Sequence, residues 1–167
     1  MTKLQLTAQL FGLCGMFSLF VMYQQSKRIM YLKLKILSDV IWAAHYLMLF
    51  AVGGAIPSIV GIVRELILMK DFKRKYTKFT LMVIIIIINA TLGILLADSM
   101  IHFIPICASA LVTISLTFKK TTSIRLFSIP ILVAFLIYDI IVGSWVGMLN
   151  EIISIVSIIS KLLKSLW

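Results

Sequence analysis

Seven apolar runs constrain this chain more than any other feature. They fall at 5–23, 36–52, 55–70, 79–97, 100–118, 125–142 and 145–161. A membrane-spanning helix needs about 20 mostly apolar residues, so each run is long enough, or nearly so, to cross a bilayer. The third and seventh are short, which predicts little tilt or polar ends close to the interface. The stretches between them are too short to fold as a separate soluble domain. Composition agrees: 62% of residues are hydrophobic, mean hydropathy is +1.12, and 13% are charged, against about 25% charged in soluble domains. The expectation is an all-α polytopic membrane protein of seven transmembrane helices in the plasma membrane, with the bilayer as its first partner. The N-terminal run reads as the first span. It has a single Lys3 before it and no small-residue cleavage site followed by a polar mature region.

The net charge of +10 raises the question of nucleic acid, and the placement of the charges answers it. Lys27, Arg28, Lys33 and Lys35 follow the first run. Lys70, Lys73, Arg74, Lys75 and Lys78 follow the third, and Lys119, Lys120 and Arg125 the fifth. Lys161 and Lys164 end the seventh. The opposite loops, around Gly53–Pro57, Ala97–Met100 and Gly143–Trp145, carry no Lys or Arg. Basic loops stay in the cytoplasm, which predicts N-out, C-in topology and no nucleic-acid partner. Attraction to anionic headgroups accounts for the charge. Trp42, Tyr46, Trp145 and Trp167 read as aromatic anchors at the interfaces. Cys14 and Cys107 lie inside apolar runs and read as packing residues and not as a disulfide.

The last two runs form the most informative stretch, YDIIVGSWVGMLNEIISIVSIISK, from Tyr138 to Lys161. A Gly143–Ser144 turn precedes a helix whose polar residues Gly147, Asn150, Glu151, Ser154 and Ser157 recur at steps of three and four, on one face. Such a stripe sits in a membrane only against protein or a water-filled cavity. Residues His45 to Lys70 have the same design. A 93-residue shift carries Cys14 onto Cys107, Lys27 onto Lys120, His45–Tyr46 onto Tyr138–Asp139, Gly54 onto Gly147, Ser58 onto Glu151 and Gly61 onto Ser154. The chain therefore divides into a first three-helix repeat (1–78), a linker helix (79–98) and a second three-helix repeat (99–167), one membrane domain overall. The expected architecture is two parallel three-helix bundles joined by the linker and related by an axis along the membrane normal.

The stretch SDVIWAAHYLMLFAVGGAIPSIVGIVREL, with His45, Tyr46 and Arg64, resembles the first half of the YgjV-type bacterial inner-membrane proteins. YDIIVGSWVGMLNE, with Gly143, Ser144 and Glu151, is similar to the second half of that family; an Asn associated with its third helix stands here as Gly61. More distantly, the three-one-three plan looks like the SWEET and PnuC transporters. That likeness implies a small neutral substrate between two three-helix bundles, although fold does not fix function.

Several residues could carry chemistry. Glu151, two turns into the last helix, could bind a polar solute, carry a proton, or pair with a neighbouring helix. Arg64 reads as a side chain snorkelling to the cytoplasmic interface, and Glu65 as a partner for a loop lysine. Asp39 reads as an interfacial ion pair with Lys35, and Asp98 as solvated. His45 and Tyr138 occupy equivalent repeat positions; His45 could switch protonation or simply bond a backbone carbonyl. His102 reads as interfacial, and Asn89 as a packing hydrogen bond. Gly12, Gly15, Ser18, Ala108 and Ser109 permit close helix approach. Pro105 and Pro130 fall inside helical runs as kinks or hinges. There is no G-x-S-x-G, H-E-x-x-H or C-x-x-C, so no enzyme, cofactor or metal site is expected.

Two functions follow. The first is a transporter or facilitator of a small, neutral, polar metabolite. Its midplane site would be lined by Trp42, His45, Ser58, Gly61, Tyr138, Asn150, Glu151 and Ser154. The second is a non-transporting receptor, immunity or regulatory protein that binds a peptide or protein. A polar cavity between the stripes discriminates them. An oligomer is compatible with either.

Overall fold

The computed structural model describes residues 3–70, 75–96, 99–142 and 144–164. Lys73, Arg74, Asp98, Gly143 and Trp167, singled out above, lie outside the described residues. The chain forms α1 (Lys3–Gln24), α2 (Arg28–Met48), α3 (Val52–Met69), α4 (Lys75–Leu96), α5 (Phe103–Ser115, preceded by a 3₁₀ turn at Met100–His102), α6 (Thr121–Val142) and α7 (Trp145–Lys164). Five segments are long and apolar enough to cross a membrane by length and composition: Lys3–Gln24, Val52–Met69, Phe79–Leu96, Thr121–Ile141 and Trp145–Lys164. α2 carries Lys33, Lys35 and Asp39 along its length, and the apolar stretch Met100–Ser115 is shorter.

α4 and α6 each start four residues before the expected position, and two further boundary differences bear on the packing. α2 starts at Arg28 and not near residue 36, because three residues suffice to turn from α1 and the basic side chains project from a helix that continues to the membrane edge. α3 starts at Val52, so Pro57 lies inside it. The α2–α3 turn is tight. Phe50 takes φ 57°, the Phe50 N–H donates to the Leu47 carbonyl at 3.1 Å, and the Ala51 N–H donates to the Tyr46 carbonyl at 2.9 Å. These are the bonds of a Schellman cap, which ordinarily uses glycine at the left-handed residue. Across the 93-residue shift, the Ser144 N–H donates to the Asp139 carbonyl, also at 2.9 Å. Ser144 then caps α7, its Oγ accepting the Gly147 N–H at 3.2 Å.

Neighbouring helices pack α1–α2, α2–α3, α3–α5, α5–α6, α6–α7 and α7–α1. Each triple is an arc, and the two arcs close into a six-helix ring. α4 lies outside the ring against α3 and α5. It faces them with Met82, Ile85 and Asn89, and Asn89 donates to the Ile106 carbonyl at 3.1 Å as a packing bond. The outside is apolar, with Leu10, Phe17, Ile87, Leu111, Ile140 and Val156 all exposed. Cys14 and Cys107 are free thiols on this outer surface, not interior packing residues, because the small side chains that do pack are their neighbours Gly15, Ala108 and Ser109.

At the basic end, the ring is tied across its two arcs. Arg125 of α6 donates from Nε to the Tyr23 carbonyl at 3.0 Å and from Nη2 to the Gln25 carbonyl. Arg28 of α2 donates to the Leu116 carbonyl at 2.6 Å and to that of Phe118. Tyr23 and Gln25 map onto Leu116 and Phe118 under the 93-residue shift. Each arginine therefore satisfies the orphan carbonyls at the end of a helix in the other arc, where a cation is also favoured by the helix dipole.

Candidate functional site

A cavity of about 100 Å³ lies inside the ring, lined by all six of its helices. Trp42, Ser58, Asn150 and Glu151 line it, as the sequence suggests. Tyr23, Tyr31 and Tyr46 bring three phenol rings to the wall, and Lys35, Asp39 and Arg64 bring charge. Trp42 and Tyr46 lie face toward face, with centroids 5.6 Å apart and planes tilted by 32°. Both are buried and are not the interfacial anchors expected from their place near a helix end. The ring closes over the outer half of α2, so that surface meets protein in place of lipid.

The other four expected residues stand behind the wall. His45 is buried and donates from Nδ1 to the Ala8 carbonyl at 2.7 Å, with its ring against Gly12. Tyr138 is buried and its hydroxyl meets His102 Nδ1 at 3.1 Å. Gly61 faces the Asp39 carboxylate, where a Cβ would collide with it. Ser154 is buried in α7 outside the cavity lining. The matched glycines of the repeat make matched contacts. Gly54 gives room to the Tyr46 ring, and Gly147 gives the same room to the Asp139 carboxylate.

Arg64 is the largest departure from the sequence reading. It does not snorkel; it is 2% exposed and points into the ring. Its Nε and Nη2 hold Glu65 Oε1 at 2.9 and 2.8 Å. Its Nη1 donates to Thr113 Oγ1 at 3.2 Å and to the Ser109 carbonyl at 3.3 Å. Asp39 Oδ2 lies 3.9 Å from Nη2, while Asp39 Oδ1 takes Lys35 Nζ. Glu65 therefore pairs with Arg64 and not with a loop lysine, and the Lys35–Asp39 pair is part of a buried network and not an interfacial one. An isolated charge at this depth would be very costly, and four alternating charges with two hydroxyl-bearing neighbours offset that cost. The signal in the sequence was Asp39: an acidic residue one turn beyond Lys35, on a helix adjacent to one carrying Arg64 and Glu65.

α7 presents a different situation. Asn150 Nδ2 donates to Glu151 Oε1 at 2.8 Å. Glu151 Oε2, Asn150 Oδ1 and Trp42 Nε1 are buried and have no hydrogen-bond partner within the protein. All three residues line the cavity. Ser58, by contrast, is satisfied by the Gly54 carbonyl at 3.3 Å. Among the described residues no group of three or more His, Cys, Asp or Glu is placed to hold a metal ion. Of the two hinge candidates, Pro130 lies within α6, whereas Pro105 stands in the first turn of α5. No intrahelical bond is lost at that position, and proline is well tolerated there.

An apolar outer surface, a closed ring of helices and a polar interior define a multi-pass helical membrane protein. Residues 6–166 match the family model of Imp-YgjV, bacterial inner membrane protein, and the chain belongs to that family. It is accordingly a multi-pass protein of the bacterial inner membrane. No curated protein and no solved structure matches the chain.

Proposed function

We propose that this protein binds a small polar solute inside the ring and passes it across the inner membrane, without chemical change to the solute. The observation that carries this reading is the central cavity, lined by helices of both arcs and by Asn150 and Glu151, whose side chains hold unpartnered polar atoms. Buried polar atoms are ordinarily satisfied, so such atoms around an internal space favour an occupant with matching donors and acceptors. The repeat supports a mechanism in which one arc rocks against the other around a fixed site. In that mechanism the Arg28 and Arg125 bonds hold the basic end shut and break when it opens. Pro57 and Pro130, inside α3 and α6, are the natural places for those helices to flex. The rival reading, a receptor or immunity protein for a peptide, has no comparable feature to support it.

The test is solute uptake by proteoliposomes containing the full-length protein, run against a panel of small metabolites. Saturable uptake by the wild type, lost in Trp42→Ala, is expected. Absence of uptake across the panel, together with capture of one specific peptide, would move the assignment to the rival.

A further inference from the structure

The carboxyls inside the ring are not all matched by cations. Four of the chain's six acidic residues are buried among the described residues: Asp39, Glu65, Asp139 and Glu151. Lys35 and Arg64 neutralise the first two. No ion pair is formed by Asp139 or Glu151 among the described residues. Glu151 is 7% exposed and lines the cavity. Asp139 lies against Gly147, one helical turn before Glu151 on α7. A neutral solute, which the low charge content of the sequence suggested, would leave these two carboxyls without a cationic partner.

The unpartnered atoms specify more than a sign. Glu151 Oε2 and Asn150 Oδ1 are acceptors, and Trp42 Nε1 is a donor. We infer that the cavity takes a small primary ammonium compound. Its ammonium hydrogens bond Glu151 Oε2 and Asn150 Oδ1. This rests on the solute-binding reading above and names the class of that solute. The cavity volume of about 100 Å³ restricts it to a molecule of few heavy atoms unless the ring opens.

The test uses the purified full-length protein and three probes: ethanolamine, ethylene glycol as its neutral counterpart of the same size, and choline, which keeps the charge, lacks N–H donors and is bulkier by three methyl groups. Binding is read from tryptophan fluorescence and from the shift in melting temperature, which a ligand of the folded state raises. Ethanolamine is expected to bind, choline to bind at least about tenfold more weakly for want of charge-assisted hydrogen bonds, and ethylene glycol not to register. Glu151→Gln should weaken ethanolamine by about thirtyfold or more, as for a buried charge pair that loses one partner. Glu151→Asp, which keeps the charge, should retain the preference for ethanolamine over ethylene glycol and serves as the folding control. Equal binding of ethylene glycol and ethanolamine would overturn the inference and leave the solute-binding reading intact. Ethanolamine binding unchanged by Glu151→Gln would also overturn it. No response to ethanolamine or to a series of longer primary amines would overturn it too, and the uptake panel then decides the parent reading separately.

Discussion

The two arcs treat buried charge in opposite ways. In α2 and α3 the charges come as partners: Lys35 with Asp39, Arg64 with Glu65, and the guanidinium braced further by Thr113 and Ser109. In α6 and α7 the two buried carboxyls have no cationic partner, and the buried Arg125 spends its bonds on backbone carbonyls of the other arc. Asp139 sits against Gly147, and Glu151 has only the Asn150 amide. The folds of the two arcs correspond, down to the Tyr46–Gly54 and Asp139–Gly147 contacts and the 2.9 Å cap bonds. The difference is therefore one of chemistry on a shared frame. A neutralised arc serves stability, and an arc with a bare carboxylate keeps an unmet demand that a ligand can meet.

The most direct way to break this comparison is at Arg64. Arg64→Ala leaves Glu65 and Asp39 buried without their shared cation and should cost about 3–5 kcal/mol, read from thermal unfolding in detergent. Adding Glu65→Gln should recover part of that loss. If Arg64→Ala is tolerated, the first arc is not held by its ion pairs. The cross-arc caps come next. Arg28→Gln and Arg125→Gln each remove bonds from a charged donor to two carbonyls and should each cost about 1.5–3 kcal/mol. Equal losses would show the arcs anchored alike, and unequal ones would locate the stronger tie. Glu151→Gln reverses the sign. It removes a buried charge that has no cationic partner, so the ligand-free protein should gain about 1–2 kcal/mol. A loss comparable to that of Arg64→Ala would mean Glu151 is paired in the resting protein, and the contrast between the arcs would fail. The smallest effect is at the turn. Phe50→Gly relieves a left-handed non-glycine residue and should stabilise by about 1 kcal/mol. The residue in register with it in the second repeat is already Gly143, so this change makes the arcs more alike.

Much of this was legible in the sequence. The apolar runs and the side of the basic loops set the helices, since in a bilayer every backbone polar group has to be satisfied within the span. The stripe of Asn150 and Glu151 was readable from its spacing, and both residues line the cavity. Arg64 was misread because distance from the helix end measures depth in lipid, while its true surroundings depend on which helices flank it. The same limit explains Trp42 and Tyr46, whose position near a helix end suggested an interface but whose neighbours are α1 and α3. His45, Gly61, Tyr138 and Ser154 lie on the right faces yet one layer too deep. Helical periodicity gives direction around an axis, and it does not give the separation between axes. The tyrosines of the cavity wall, Tyr23 and Tyr31, carried no periodic signal, since each stands at the charged end of its run beside residues read as loop.

The crossed arginine caps also impose an order on biogenesis. Leu116 and Phe118 are synthesised 88 and 90 residues after Arg28, which waits for them. Tyr23 and Gln25 leave the ribosome 102 and 100 residues ahead of Arg125. The end of α1 is thus inserted with its last carbonyls open and is closed only when α6 arrives. Neither arc can complete its own helix ends from its own residues. The two arcs are in this way interdependent: the carbonyls that end α1 meet their arginine only once the second half of the chain is in place.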